Sequence, residues 1–370
     1  MNICTDPAQK LVLPEYLEKT HNKCSNMAPM QMIIALVALL VSVSVINASK
    51  ASGARVGTNI GGWLVLEPWI TPSLFYRFLG KTKEDGVGVD SYTMCEALGP
   101  VEGNKVMRSH WDSWVTEEHI KELADRNVEI VRLPIGDWTL KPYGPYVGCM
   151  DGAAEKITWF LDTAAKHNVK VLLDVHALVD SQNGFDNSGQ TAGFVWDDST
   201  HFHHWSINNA SWMGHWNGEI YDSINQGNIN WAVDNVKKLM QKWGHHSAMY
   251  ALEPVNEPWW NSDLPTLKDF YRRCREAVRS VNKDVLFVFH DSFRPDATIW
   301  NDLFDDDDME NVVLDTHQYL AWYGAQDDIG DYCNAYGSLF AQASIQDIKY
   351  PIWVGEWSLA TDVCALWLGM

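Results

Sequence analysis

The chain has 370 residues, 46% of them hydrophobic and 21% charged, enough apolar content for one large domain or two small ones and too much for global disorder. A formal net charge of −20 would repel a phosphate backbone and excludes nucleic acid as a partner. Nineteen tryptophans leave two uses open, a Trp-rich core and flat faces that stack on rings of a ligand.

The first predicted element is the apolar run 33–46, with no charge between Lys23 and Lys50. A run of about 14 residues suits the apolar region of a signal peptide better than a membrane span, which takes about 20. Small residues follow it, and Ser49-Lys50-Ala51 or Ser52-Gly53-Ala54 would serve as a cleavage site. The polar leader upstream leaves two readings. Translation starts at Met27 or Met30 and gives an ordinary signal peptide, or the segment is an uncleaved type II membrane anchor. Both place residues 55–370 outside the cytosol, secreted or at the cell wall in the first reading. The chain is therefore divided into a leader, 1–54, and one domain, 55–370. Its seven cysteines include no C-x-x-C pair, which argues against a zinc site. Five remain after the leader, an odd number for an exported protein. Asn209-Ala210-Ser211 is an N-glycosylation sequon.

From residue 55 onward, strand-like runs alternate with helical patterns. The predicted strands are Thr58–Trp63, Val128–Pro134, Lys170–His176, Met249–Pro254, Val285–His290, Asn311–His317 and Ile352–Glu356. Helices are predicted over Glu117–Arg126, Ala154–His167, Ile229–Trp243 and Leu267–Val281. Near-continuous Val, Ile and Leu strands, each followed by a helix, argue for a parallel sheet with both faces covered. No G-x-G-x-x-G follows Gly61-Gly62, so a doubly wound nucleotide fold is disfavoured. Polar and aromatic residues gather where the strands end, which fits an α/β (β/α)8 TIM barrel. The seventh strand leaves only Trp357 to Met370 after it, so the eighth βα unit is expected to be missing, unless a strand is hidden within 177–247. That stretch reads instead as an elaborated loop with a helix near its end.

Two glutamates stand at strand ends: Glu257 in Leu252-Glu253-Pro254-Val255-Asn256-Glu257-Pro258, and Glu356 in Trp353-Val354-Gly355-Glu356-Trp357. A carboxyl at the end of a buried apolar strand is desolvated unless partnered, and two of them across a cleft are the apparatus of glycoside hydrolysis. Arg132, His176, His317 and Tyr319 end other strands. The ordered runs Asn59-Ile60-Gly61-Gly62-Trp63-Leu64-Val65-Leu66-Glu67-Pro68-Trp69 and Ser181-Gln182-Asn183-Gly184-Phe185-Asp186-Asn187-Ser188-Gly189 complete the set. With these motifs the sequence resembles glycoside hydrolase family 5, and within it the exo-1,3-beta-glucanases of fungi and oomycetes.

The resemblance implies roles position by position. Glu257 would be the acid/base and Glu356 the nucleophile of a retaining mechanism, which needs their carboxyl groups about 5–5.5 Å apart. Asn256 would hold the sugar 2-hydroxyl. Tyr319 and Arg132 would orient Glu356 and keep it ionised. His176 and His317 would bind the innermost sugar, Glu67 the hydroxyls of the terminal glucose. The Phe185 loop, with Asn187, would wall the entrance. The implied partner is beta-1,3-glucan, cleaved from its non-reducing end with possible transglycosylation. No metal, cofactor or protein partner is called for. Sibling readings are an endo-1,4-glucanase, a glucosylceramidase-like enzyme and an inactive glucan-binding protein. The family also implies cysteines beyond this chain's end that pair with positions like Cys333 and Cys364. One departure is local: Ala177-Leu178-Val179-Asp180 stands where many relatives read Gly-Ala-Pro-Gly. Lesser features are the acidic run Asp305–Asp308, read as a solvated loop, the histidines His201, His203 and His204, and Trp205, Trp216, Trp259 and Trp260 as outer sugar platforms or packing.

Overall fold

The computed structural model describes residues 55–191, 195–198, 202–203, 210–305, 309–319, 331 and 347–358. They belong to two compact units, one from Arg55 to Thr316 and one beginning at His317. The apolar run 33–46, Asn209 of the sequon, His201, His204, Trp205, Cys333, Cys364 and Asp306 to Asp308 of the acidic run lie outside the described residues. Among the described residues no helix is long and apolar enough to cross a membrane.

In the larger unit β1 (Gly57–Asn59), β2 (Ile130–Gly136), β3 (Lys170–Ala177), β4 (Met249–Glu253), β5 (Leu286–His290) and β6 (Val312–Tyr319, its end reaching the second unit) are neighbours in chain order. Every adjacent pair is parallel. The order never reverses, so there is no topological switch point of the doubly wound kind. Consecutive parallel strands with helices between them are the winding of a (β/α)8 barrel. The seventh strand, β7 (Ile352–Ser358), lies in the second unit. Each predicted strand is present, displaced by a residue or two at its ends except the first. That strand is Gly57–Asn59, not Thr58–Trp63. Ile60 N–H makes the last bond to Arg132 O, at 3.0 Å, and Gly62 then turns the chain at φ 66°. A side chain at Gly62 would meet Ile70 and Thr71 at 2.9–3.0 Å.

The longer helices among the described residues are α1 (Ser91–Trp114), α2 (Glu117–Asp125), α3 (Ala153–Lys166), α4 (Gln226–Trp243) and α5 (Leu264–Arg279). The periodicity of α3 brings Ile157, Phe160, Leu161 and Ala164 to the buried side. α4 and α5 begin three residues before their predicted starts because Asn225 and Asp263 cap them, accepting from Asn228 N–H and Thr266 N–H. α1 escaped the sequence reading altogether. Gly99-Pro100 interrupts its apolar pattern, and the backbone there is kinked, with Gly99 at φ 69° and ψ 177°. Between residues 177 and 226 no barrel strand occurs among the described residues. Two short antiparallel ribbons stand there, Val195–Trp196 with Phe202–His203 and Gly214–Trp216 with Tyr221–Ile224.

β2 is buried along its whole length and β3 in all but its first residue, as parallel strands covered on both faces require. Trp63, Trp111, Trp138, Trp212 and Trp300 are fully buried, so packing accounts for these tryptophans. Among the described cysteines, Cys95 in α1 is bonded to Cys149, and Cys274 in α5 is a buried thiol, its pKa raised by that burial. Leu173 on β3 is completely buried. Leu173→Ala is expected to lower the unfolding free energy by about 2–5 kcal/mol, read as a lower urea midpoint at unchanged slope.

Candidate active site

Glu257 follows β4 and is 8% exposed. Its backbone is left-handed, φ 45°, a conformation that costs a non-glycine residue about 1–3 kcal/mol and persists only where the surroundings enforce it. Two bonds on the preceding residue do so. Asn256 N–H donates to Val175 O at 3.1 Å, and Gln182 Nε2 donates to Asn256 O at 2.9 Å. The Glu257 carboxylate accepts from Asn187 Nδ2 at 3.0 Å.

Beneath Glu257 the strand ends are joined by the Arg132 guanidinium, 4% exposed. Its Nη2 lies 3.0 Å from Glu253 Oε2, 3.1 Å from Asp174 Oδ2 and 2.8 Å from Asn256 Oδ1. Nε also donates to Glu253, at 3.1 Å, and Nη1 to Asn59 Oδ1, at 3.3 Å. β1, β2, β3 and β4 thus meet on one cation. Asp174 accepts from His176 Nδ1 as well, so in the neutral ring Nε2 is the acceptor. Asn256 Nδ2 lies 3.3 Å from that Nε2. Arg132 on the oxygen and His176 beside the nitrogen fix which way the Asn256 amide faces.

The loop after β3 completes this side of the site. Asp180 and Ser181 are left-handed, φ 62° and 59°, so this turn is made without glycine at its two left-handed positions. Gln182 spans it, donating to His176 O at 2.8 Å and accepting from Leu178 N–H at 3.2 Å. Phe185 meets Trp259 edge-on at 5.0 Å, and Trp259 meets Phe293 at 5.4 Å. Trp260 is half exposed and Trp216 packs beside Tyr221. Glu67 is 5% exposed, and its Oε1 accepts from Gly62 N–H at 3.3 Å.

The second unit brings together three of the predicted residues. Tyr319 hydroxyl donates to Glu356 Oε2 at 2.8 Å, and His317 Nδ1 lies 3.5 Å from the same oxygen. The Glu356 side chain retains 13% exposure while that of His317 is fully buried.

Sequence reasoning passed over Asp174, Glu253, His290 and Asp137. The first two were legible as lone acids inside apolar strands. His290 ends its strand as His176 and His317 end theirs. It accepts from Ser292 N–H through Nδ1 at 2.9 Å, and one of its ring nitrogens lies within 4.8 Å of a Glu257 oxygen. Asp137, wholly buried just after β2, accepts from Tyr143 hydroxyl (2.7 Å), Val179 N–H and Trp231 Nε1 (both 3.0 Å). Burial pushes its carboxyl up to about 6 against the pull of those donors. Asp186, in the Phe185 loop, is pushed up to about 7, by burial first and the Asp90 charge second.

Consecutive parallel strands whose ends carry carboxyls, amides and histidines fit a class, the glycoside hydrolases of the (β/α)8 type. Residues 95–364 match the model of the cellulase family, glycosyl hydrolase family 5, and the chain belongs to that family. It is 33% identical over 320 residues to a glucan 1,3-beta-glucosidase of Blumeria graminis, covering 84% of this chain and 66% of that protein. It is 32% identical over 337 residues to a probable glucan 1,3-beta-glucosidase A of Emericella nidulans, covering 89% and 73%. The chain spans about two thirds of the length of these curated relatives, 66% for that of Blumeria graminis and 66% for a glucan 1,3-beta-glucosidase of Pichia angusta. The crystal structure of rutinosidase from Aspergillus niger shares the fold, with TM-score 0.62 and 23% identity over 83% of this chain and 80% of that one.

Two outcomes follow from the buried charges. Arg132→Met strands Glu253 and Asp174 without their cation and is expected to cost about 3–5 kcal/mol. In urea unfolding that deficit is read as a lower midpoint. Asp137 has its folded pKa raised above 3.8, so its contribution is fully present below pH 3.8 and is lost as pH rises through about 6. The loss is on the order of 3 kcal/mol. Asp137→Asn should flatten the change in stability between pH 4 and 7, and an unaltered slope would contradict this assignment.

Proposed function

We propose that the protein is a retaining beta-1,3-glucosidase that acts from the non-reducing end of the polymer, outside the cytosol. The observation that carries the reading is the oriented pair Asn256-Glu257. The amide is held by Arg132 through its oxygen, which leaves its nitrogen to donate, and the adjacent carboxyl is bound by Asn187. The names of the relatives supply the polymer. The enclosed Glu67 and the Phe185 loop support a pocket that ends at one sugar.

In the first step Glu257 gives its proton to the glycosidic oxygen as the bond from that oxygen to the anomeric carbon breaks. Glu356 closes on the same carbon and forms a glucosyl ester. The Tyr319 hydroxyl bonded to Glu356 supports this role, since a donor to a carboxylate favours its ionised form. In the second step the Glu257 carboxylate takes a proton from water, the water oxygen bonds to the anomeric carbon, and the ester to Glu356 breaks. A sugar hydroxyl in place of the water gives transglycosylation. Asn256 Nδ2 donates to the 2-hydroxyl, where the bond strengthens as positive charge develops on the ring. His176, held in one tautomer by Asp174, and His317 bind hydroxyls of the same sugar. Glu67 takes those of its far side.

The test is free glucose released from laminarin by the full chain, beside Glu356→Ala and Glu257→Gln. Glucose from the parent is expected, with none from Glu356→Ala and a kcat lowered about 10²–10⁴-fold for Glu257→Gln. Short soluble oligosaccharides in place of glucose would point to an endo-acting sibling. Cellulose cleaved in preference to laminarin would overturn the choice of polymer.

A further inference from the structure

α1 lies between the two loops that carry the sugar-facing side chains of the larger unit, and its first turn is bonded to both. Asp90 caps the helix: Oδ1 accepts from Thr93 N–H and its hydroxyl, both at 2.7 Å. The other oxygen reaches out of the helix and accepts from Thr191 N–H at 2.6 Å. Tyr92 N–H donates to Gly189 O at 2.9 Å. Both contacts fall at the end of the loop that holds Phe185 and Asn187. On the other side, Ser91 Oγ accepts from Leu66 N–H at 2.9 Å, one residue before Glu67. The far end of the helix holds the start of that same loop. His110 Nε2 meets Gly62 O at 2.8 Å, Trp63 Nε1 donates to Trp111 O at 3.1 Å, and Trp114 Nε1 donates to Gly61 O at 3.1 Å.

The helix is itself anchored near this turn. Cys95, four residues in, is bonded to Cys149, and Asn104 Nδ2 donates to Cys149 O at 3.0 Å. Tyr146, three residues before Cys149, packs edge-on against Tyr92 at 5.7 Å, stacks on Trp138 at 3.9 Å and donates its hydroxyl to Gly189 O at 3.0 Å. Gly189 fits between them because it lacks a side chain. It is left-handed, φ 79°, and a Cβ there would lie 2.6 Å from Trp138.

We propose that the first turn of α1, with Asp90 at its centre and the Cys95–Cys149 disulfide as its anchor, is a positioning element that sets the Glu67 loop and the Phe185–Asn187 loop against each other and so controls the affinity of the sugar site. It touches no substrate. Its action is through the two loops, and the inference rests on the reading of the site as a glucan pocket.

The variant that isolates it is Asp90→Asn. Asn caps a helix as well as Asp does, so the bond to Thr93 and the helix survive, but an amide nitrogen cannot accept from Thr191. In the full chain, KM for laminarin is expected to rise about tenfold with kcat changed less than about threefold, the pattern of lost ground-state and transition-state binding alike. Hydrogen exchange gives a second readout that needs no activity. Amides of Gly184, Phe185 and Leu66 should exchange faster in Asp90→Asn and in Cys95→Ser/Cys149→Ser, with those of β3 and β4 unchanged. Faster exchange confined to Thr191, or an unchanged KM in an active enzyme, would overturn the proposal. A parent chain that releases no glucose would sink the glucosidase reading instead, and exchange at Leu66 would still decide whether the loops are coupled.

Discussion

A buried cation must be paired, and the Arg132 guanidinium is paired by residues from three other strands. Taking such a group out of water costs several kcal/mol unless its donors are met. Here Glu253, Asp174, Asn256 and Asn59 meet them from β4, β3, the turn after β4 and β1. The planar fork of arginine reaches all four, which the point charge of a lysine would not do. The constraint runs in both directions. The acids are tolerated inside apolar strands because Arg132 is there, and the strands are held in register at their ends because the acids must reach it.

From that cation the orientation of the site propagates outward. Asn256 faces as it does because Arg132 takes its oxygen and His176 stands by its nitrogen. His176 presents an acceptor because Asp174 holds its other nitrogen. Glu257 is then carried in a left-handed backbone by the bonds on Asn256. Such strain is sustained where buried hydrogen bonds on either side leave the chain no alternative. A side chain set this way loses little freedom when a ligand arrives, which is the physical content of preorganisation.

The loops answer to a different element. The strand ends determine where Asn256 and Glu257 stand, but the loops after β1 and β3 are long enough to take many shapes. Gln182 pins one of them to the turn after β4, and α1 ties both. The barrel supplies rigid ends, and at the start of α1 the cap Asp90 does a second task by bonding to Thr191, while Ser91 beside it holds Leu66.

Much of this was legible in the chain. Period and composition place the strands, since short Val, Ile and Leu runs bounded by turns suit parallel strands covered on both faces, and six of the seven stand within a residue or two of where they were read, the first being shorter. Glu257, Glu356, Asn256, Arg132, His176 and His317 are visible as polar residues at the ends of apolar strands. Tyr319 is visible in the same way, and its bond to Glu356 is what the family resemblance implies. Tertiary structure alone decided the rest, because the partners are far apart in sequence. Asp174 and Glu253 look like misplaced acids until β2 brings Arg132 between them. The Cys95–Cys149 pair depends on α1, whose pattern is broken by Gly99-Pro100 and leaves no period to read. Asp90 is recognisable as a helix cap by its neighbour Thr93, but its second bond, to Thr191 about a hundred residues on, exists only once the β3 loop has been folded back over the helix. Local propensity and hydrophobic period act over a few residues. The contacts that orient a side chain for chemistry are made across the barrel, where only the packed chain determines which groups meet.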